Sequence, residues 1–373
     1  MPVPEVVNVE RAWRAALLER EAEVMQAMTQ RYLEIAHRLT SDFDALAEQV
    51  SRMVEAGDEV PVGRLYQLER YQRMAVQMEQ EWSRYAPYAD KLISDQQRYL
   101  LTAGTTMAQD ELTAAGYGVT IEGWPAGAIQ DLVGQTDGGP LRDLLAGASQ
   151  GAEAEVAHAL VEGTALGLNP TQVAKTMADK FGMPLDRALC IARTEMLGAF
   201  RRSTLQGYRQ AGLMQYQRLS AQDSRVCAGC IAAEGQLYET EQDFDDHPNC
   251  RCSCIPWWPG AHSFPMGEEW FNAQSESTQR AILGNTRFEM LKNKEIKWSQ
   301  LATRTSNDTW GGMIVGTSIT DLRAGGGGLP AALIKAAPGG GGAEALINAA
   351  QVMDTLSGAR PLNSTAARLN YGP

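Results

Sequence analysis

Apolar side chains recur at three- and four-residue steps near the start of the chain: Trp13, Leu17, Val24, Met28, Tyr32, Ile35 and Leu39, with Glu, Arg and Gln between them. That spacing draws one apolar stripe along an amphipathic helix. Residues 61–85 repeat it with Leu65, Leu68, Tyr71, Met74, Met78 and Trp82. Pro87 removes a helical N–H and predicts a break, with a third helix from Ala89 to Leu112 ahead of Gly116. Residues 8 to about 116 therefore read as long helices with polar outer faces, suited to a bundle or to an arm packed on a partner. Met and aromatic stripes of this kind are core positions rather than a cofactor box.

Glycine and proline crowd residues 116–140 and predict a connector. Helical spacing resumes with Leu144, Ala157, Leu160 and Leu166, up to Gly167. Asn169-Pro170-Thr-Gln172 is a helix start, with Asn as N-cap and Pro at the first helical position, and that helix should end at Gly182. The next runs from about Pro184 to Gly212, where glycine stops it. The period then changes to two. Gln215–Leu219, Gly235–Tyr238 and Arg251–Pro256 read as short strands, and a further helix is expected near 277–293.

The expected fold is mainly α with a small α+β module, a few-stranded antiparallel sheet packed on a long helix. Five segments follow: a helical N-terminal region (1–118), a connector (119–150), the α+β module (151–260), a helical extension (261–323) and a glycine-rich tail (324–373). In the tail, the tetraglycine runs Gly325–Gly328 and Gly339–Gly342 predict flexible joints, with Leu346, Ala350, Met353 and Leu356 able to form a short helix.

Composition narrows the function. The net charge of −12 argues against wrapping nucleic acid, which needs clustered Lys and Arg. Seven arginines lie between 184 and 225, and a loop with Glu239, Glu241, Asp243, Asp245 and Asp246 follows, so the two groups are expected to neutralise each other. The N-terminus shows no basic and apolar leader, and no run of about 18 apolar residues predicts a membrane span.

The densest chemistry is Cys227-Ala-Gly-Cys230 followed, after 16 residues, by His247-Pro-Asn-Cys250-Arg-Cys252. Thiolate and imidazole donors on short turns suit zinc, and four protein ligands would leave no open position, which makes the site structural rather than catalytic. The expected ligands are Cys227, Cys230, His247 and Cys250, with Cys252 competing for the fourth place. If residues 250–254 are extended, Cys250, Cys252 and Cys254 share a face. A module this small buries little apolar area, so a metal is its natural supplement.

Taken in order, Ala192-Arg-Thr-Glu195 in a long helix, Gly207-Tyr-Arg-Gln-Ala-Gly212, Asp223-Ser-Arg-Val-Cys227-Ala-Gly-Cys230 and His247-Pro-Asn-Cys250-Arg-Cys252 resemble the phage Mu F-like head morphogenesis proteins, minor head proteins of tailed phages. Thr278-Gln-Arg-Ala-Ile-Leu-Gly284-Asn-Thr-Arg-Phe288 is similar to a segment that often follows the module in them. The resemblance covers about residues 150–300. It implies a non-enzymatic virion component in the capsid interior or at the portal vertex, present in the host cytoplasm during assembly. Its implied partners are the portal protein and the major capsid and scaffold proteins, with weak contact to packaged DNA and a part in ejection.

Two enzyme classes compete. Asp246-His247 between cysteine pairs is similar to the start of a His-Asn-His nuclease motif, but Pro248 and a cysteine-rich strand follow where a ligand-bearing helix is needed, leaving only His262. A zinc deaminase needs His-x-Glu or Cys-x-Glu, and none of His37, His158 or Cys190 has glutamate two residues on. Arg193 and Glu195, two apart on a helix, are expected to pair separately with the β-module, and Cys190 to be a small core residue.

Overall fold

A computed structural model describes residues 3–136, 139–223, 225–242, 244–259, 261 and 266–329. Asp243, His262, the second tetraglycine run and the short helix expected over 346–356 lie outside the described residues. Along the chain the elements are α1 (Glu5–Glu55), α2 (Val62–Leu65), α3 (Glu69–Ala114), α4 (Ala126–Leu132), β1 (Gln135–Thr136), β2 (Gly139–Pro140), α5 (Leu141–Gly147), α6 (Ala152–Ala165), α7 (Pro170–Phe181) and α8 (Met183–Gln210). There follow β3 (Gln215–Leu219), α9 (Ala228–Ala232), β4 (Leu237–Glu239), β5 (Ser253–Trp257), α10 (Glu268–Asn272), α11 (Glu276–Lys292), a 3-10 turn (Trp298–Leu301), β6 (Ala302–Asn307), β7 (Gly311–Gly316) and α12 (Ile319–Arg323). Among the described residues no helix is long and apolar enough to cross a membrane.

The fold is mainly helical with small antiparallel sheets, as the patterning predicts. Pro87 is the exception: α3 runs through it without ending. A helix-interior proline costs about 3 kcal/mol through its lost N–H and ring clash. Here the ring is exposed, and Trp82, Tyr85, Ala86, Ala89 and Ile93 bury the helix on both sides of it. Packing outweighs the local penalty.

The chain divides into two compact units, each assembled from separated segments. One, residues 20–96 and 134–195, is helical. Its centre is an aromatic cluster in which the Tyr32 ring stacks on Phe181 and meets Tyr85 edge-on, both at 5.3 Å. The polar ends of these rings are satisfied: Tyr32 donates to the Phe181 carbonyl and Tyr85 to the Met28 carbonyl. Asn169 caps α7 through a 2.9 Å bond from the Gln172 N–H, with Pro170 at the first position, which is the start signal read from sequence. Arg193 pairs with Glu21 of α1 at 2.6 Å. Helical side chains two apart point in different directions, so the pairing expected of Arg193 was open to any neighbour on its own side. Cys190 is half-buried.

The other unit comprises, among the described residues, 3–19, 97–133 and 196–329. Its sheet has the order β4-β3-β5, all antiparallel, with Tyr216 of β3 opposite Tyr238 and Pro256. Tyr208 from α8 and Leu112 from α3 belong to the core beneath it, with Tyr216, Tyr238, Ile231 and Phe271. The C-terminal parts of α3 and α8 approach closely through small residues: a Cβ added to Gly104 would lie 2.5 Å from the Phe200 carbonyl oxygen, and one added to Gly207 2.6 Å from Ala108 Cβ. α11 is interrupted at Gly284, whose φ of 73° and ψ of 156° are not helical. After it comes the β6–β7 hairpin, which the helical reading of that stretch did not predict. Arg304 of the hairpin grips Asp245 through two bonds of 2.8 and 3.0 Å.

Candidate metal centre

Two turns present the donors, and each has a local cause. Cys227 is the N-cap of α9, with an extended backbone and a sulfur that accepts the Cys230 N–H at 3.3 Å. The same capping bond therefore sets the spacing of the first two sulfurs. On the other side, the Cys250 N–H donates to the His247 carbonyl at 3.0 Å, closing a four-residue turn. Pro248 and then Asn249, at a φ of 63°, occupy its central positions, the residue preference of a type II turn. That turn brings the His247 ring and the Cys250 sulfur to the same place.

The donors converge. His247 Nε2 lies 3.3 Å from Cys227 Sγ and 3.1 Å from Cys230 Sγ, and the Cys230 and Cys250 sulfurs are 3.8 Å apart. Among the described residues two triads have the reach to hold a metal ion, Cys227–Cys230–His247 and Cys230–Cys250–Cys252, and they share Cys230. Two thiolates on one tetrahedral ion, with bonds of about 2.3 Å, sit about 3.8 Å apart. The Cys230–Cys250 spacing meets that requirement directly. The five cysteines from 227 to 254 are thiols, not disulfides.

The imidazole is held in one orientation. Nδ1–H donates to the Pro248 carbonyl at 2.8 Å, which leaves Nε2 as the atom facing the sulfurs. Cys254 is in neither triad. Its sulfur is buried in the core near Tyr208 and Glu111, and burial pushes its thiol well up. The regular strand begins only at Ser253, so the face shared by all three alternate cysteines does not form.

Electrostatics separates the thiols. Contact with Cys230 holds the Cys227 thiol down, to about 4, and His247 reinforces it. Cys250 lies well below its ordinary value, through contacts with Cys230 and Cys252 and the nearby Arg218 charge. Cys252 is pulled down by Cys230, but the Cys250 thiolate and burial outweigh that and hold it up. Burial works against a charged His247, yet the Cys227 and Cys250 sulfurs keep its proton to about 10.

Two buried arginines frame the cluster, and neither was singled out from sequence. Arg201 donates to the carbonyls of Cys250 and Cys252 at 3.3 and 3.1 Å and pairs with Asp246. Arg218 donates to the Phe244 carbonyl at 2.7 Å and approaches Cys250 Sγ at 3.7 Å. The sequence offers one weak signal, the period of two in β3 that puts Arg218 on the face of Tyr216; a helical arginine such as Arg201 reads as surface. The neutralisation expected of the acidic loop takes concrete form in Arg201–Asp246 and in Arg209 beside Glu241 at 3.7 Å.

Residues 154–255 match the family model described as Phage Mu protein F like protein. No curated protein and no solved structure matches the chain. The matched segment begins in α6, ends in β5 and contains all five clustered donors.

Proposed function

We propose, from the match of residues 154–255 to the Mu F-like family model, that this chain is a minor head protein of a tailed phage whose Cys/His cluster binds one structural zinc. The observation that carries this reading is that the whole donor set lies inside the matched segment, with Cys230, Cys250 and Cys252 buried in the core of a small sheet and Cys227 and His247 half-buried beside them. Cys227, Cys230, His247 and Cys250 would hold the ion, with Cys252 the competing ligand. When bound, zinc supplies a cross-link between the α9 knuckle and the turn before β5, joining two segments that local backbone bonding leaves apart. Four protein ligands leave no coordination position for water, so the role is structural.

The partners that fit this role are the portal and the major capsid and scaffold proteins, with the protein inside the capsid at the portal vertex and a part in DNA ejection. The nuclease reading is weaker on geometry. Asp246, which would open that motif, is paired with the buried Arg201, and His247 faces sulfurs rather than an open site. Purified protein should contain one equivalent of zinc, lose structure on chelation, leave DNA intact in Mg²⁺ and co-purify with a portal ring at low stoichiometry. DNA cleavage that disappears in His247→Ala, with the fold preserved, would replace this function with the nuclease.

A further inference from the structure

Arg218 is a buried cation whose charge the metal site has so far left unexplained. It stands on β3 with 0% exposure. Its guanidinium lies 4.2 Å from the Phe244 ring centroid, donates to the Phe244 carbonyl at 2.7 Å and reaches Cys250 Sγ at 3.7 Å. Among the described residues no carboxylate pairs with it, and its Nε has no acceptor. Arg201 is a useful contrast, since Asp246 neutralises it.

A guanidinium stays ionised in proteins, so a buried one must be matched by an anion or carry a large desolvation penalty. The acceptors available to Arg218 are a carbonyl, an aromatic face and sulfur; only sulfur can carry a full negative charge. We propose that Arg218 is the counter-ion of the metal centre and fixes its ligand set as three thiolates, Cys227, Cys230 and Cys250, with neutral His247, leaving Cys252 uncoordinated. This rests on the zinc reading of the cluster. Three thiolates and a neutral imidazole around a divalent ion carry one net negative charge, which Arg218 balances. Replacing His247 by Cys252 gives four thiolates and a second negative charge, which no remaining buried cation among the described residues offsets, because Arg201 is already paired. The direction of the N–H···S contact agrees: it goes to Cys250, the sulfur that shares a turn with His247.

The test uses the full-length chain loaded with Co²⁺ in place of zinc. The visible spectrum should be that of three sulfurs and one nitrogen. Cys252→Ser should leave it unchanged, whereas Cys250→Ser should remove about a third of the sulfur-to-cobalt charge-transfer intensity, one thiolate of the three. Arg218→Met should weaken metal binding by about 10- to 100-fold, as loss of an outer-shell partner does. It should also shift the charge-transfer band to lower energy, because a thiolate without its N–H donor gives up an electron more readily. Arg218→Lys should recover part of both effects. A merely structural arginine would leave the band position unmoved. A four-sulfur spectrum in the wild type, or loss of a sulfur in Cys252→Ser, overturns the proposed ligand set even if Arg218→Met fails to fold. Unchanged affinity and band position in a folded Arg218→Met overturns the counter-ion. Failure of the wild type to take up Co²⁺ or Zn²⁺ at all overturns the zinc reading itself, and this inference with it.

Discussion

Replacing Gly104 by alanine should destabilise the unit that carries the Cys/His cluster, although alanine is the better helix former. The substitution gains about 1 kcal/mol of helix propensity. Against that, the new methyl would sit 2.5 Å from the Phe200 carbonyl oxygen, 2.6 Å from Ser203 Cβ and 2.9 Å from the Thr204 nitrogen. Two of these are backbone atoms of α8, which cannot rotate away, so the helix itself must move by the better part of an ångström. Overpacking of this kind costs about 1–3 kcal/mol. The displaced Ser203 also donates to the Leu101 carbonyl and accepts from Trp124 Nε1 at 2.8 Å, and weakening both bonds adds about 1–2 kcal/mol. The net loss is then about 1–4 kcal/mol. Gly147→Ala is the control: that helical glycine has nothing within 4 Å of its added Cβ, and the change should stabilise by about 0.5–1 kcal/mol. Urea unfolding followed by far-ultraviolet circular dichroism measures both as midpoint shifts of opposite sign. A Gly104→Ala midpoint equal to or above that of the wild type would refute the close approach of α3 and α8.

Pro87→Ala restores a helical N–H at an exposed position of α3 and should raise stability by about 1–3 kcal/mol, read by the same denaturation; a loss would mean the proline shapes the helix its neighbours need. Glu111 is fully buried, and burial raises its carboxyl well above the ordinary range, while Tyr208 donates to it. An acid whose folded pKa is raised destabilises the fold once pH exceeds its unfolded value near 4.3, and the penalty grows until the folded value is passed. Glu111→Gln, which keeps an acceptor for Tyr208, should therefore match the wild type at acid pH and melt higher at neutral pH; thermal scans that diverge instead at acid pH contradict this. Cys230 belongs to both donor triads and Cys254 to neither. Cys230→Ser should abolish stoichiometric zinc in elemental analysis while Cys254→Ala retains it, and the reverse result would relocate the site.

The helices were legible wherever apolar residues repeated with a cap at one end. Asn169-Pro170 and the stripe through Tyr32 both correspond to observed structure, because capping and amphipathicity act locally. Pro87 misled for the complementary reason: its penalty is local, whereas the aromatic packing that overrides it comes from distant segments. The β6–β7 hairpin escaped because polar Thr303, Thr305 and Ser306 weaken the alternation, although Asn307 through Gly312 carry a turn signature. The Cys/His donors were visible as a spacing, and their convergence follows from two tight turns. Arg201 and Arg218 were not, since a charged residue is expected at the surface unless its partner is known. For Arg218 the partner is a sulfur more than thirty residues away.

The joining of Ser253 to Glu10, two buried side chains 243 positions apart, has a bearing on how the protein is made. At translation speeds of about 5–20 residues per second, the first helix leaves the ribosome roughly ten to fifty seconds before the strand it will bond to exists. During that interval Val6 and Val7 of α1 lack Leu219 and Ile255, the residues that complete their apolar cluster. The cluster of sulfurs can assemble only once Cys250 and Cys252, just ahead of the same strand, have been made. A metal held by the whole set would therefore be captured only after that point, and a ribosome that stalls before residue 247 leaves a chain with neither the strand nor the second half of the donor set.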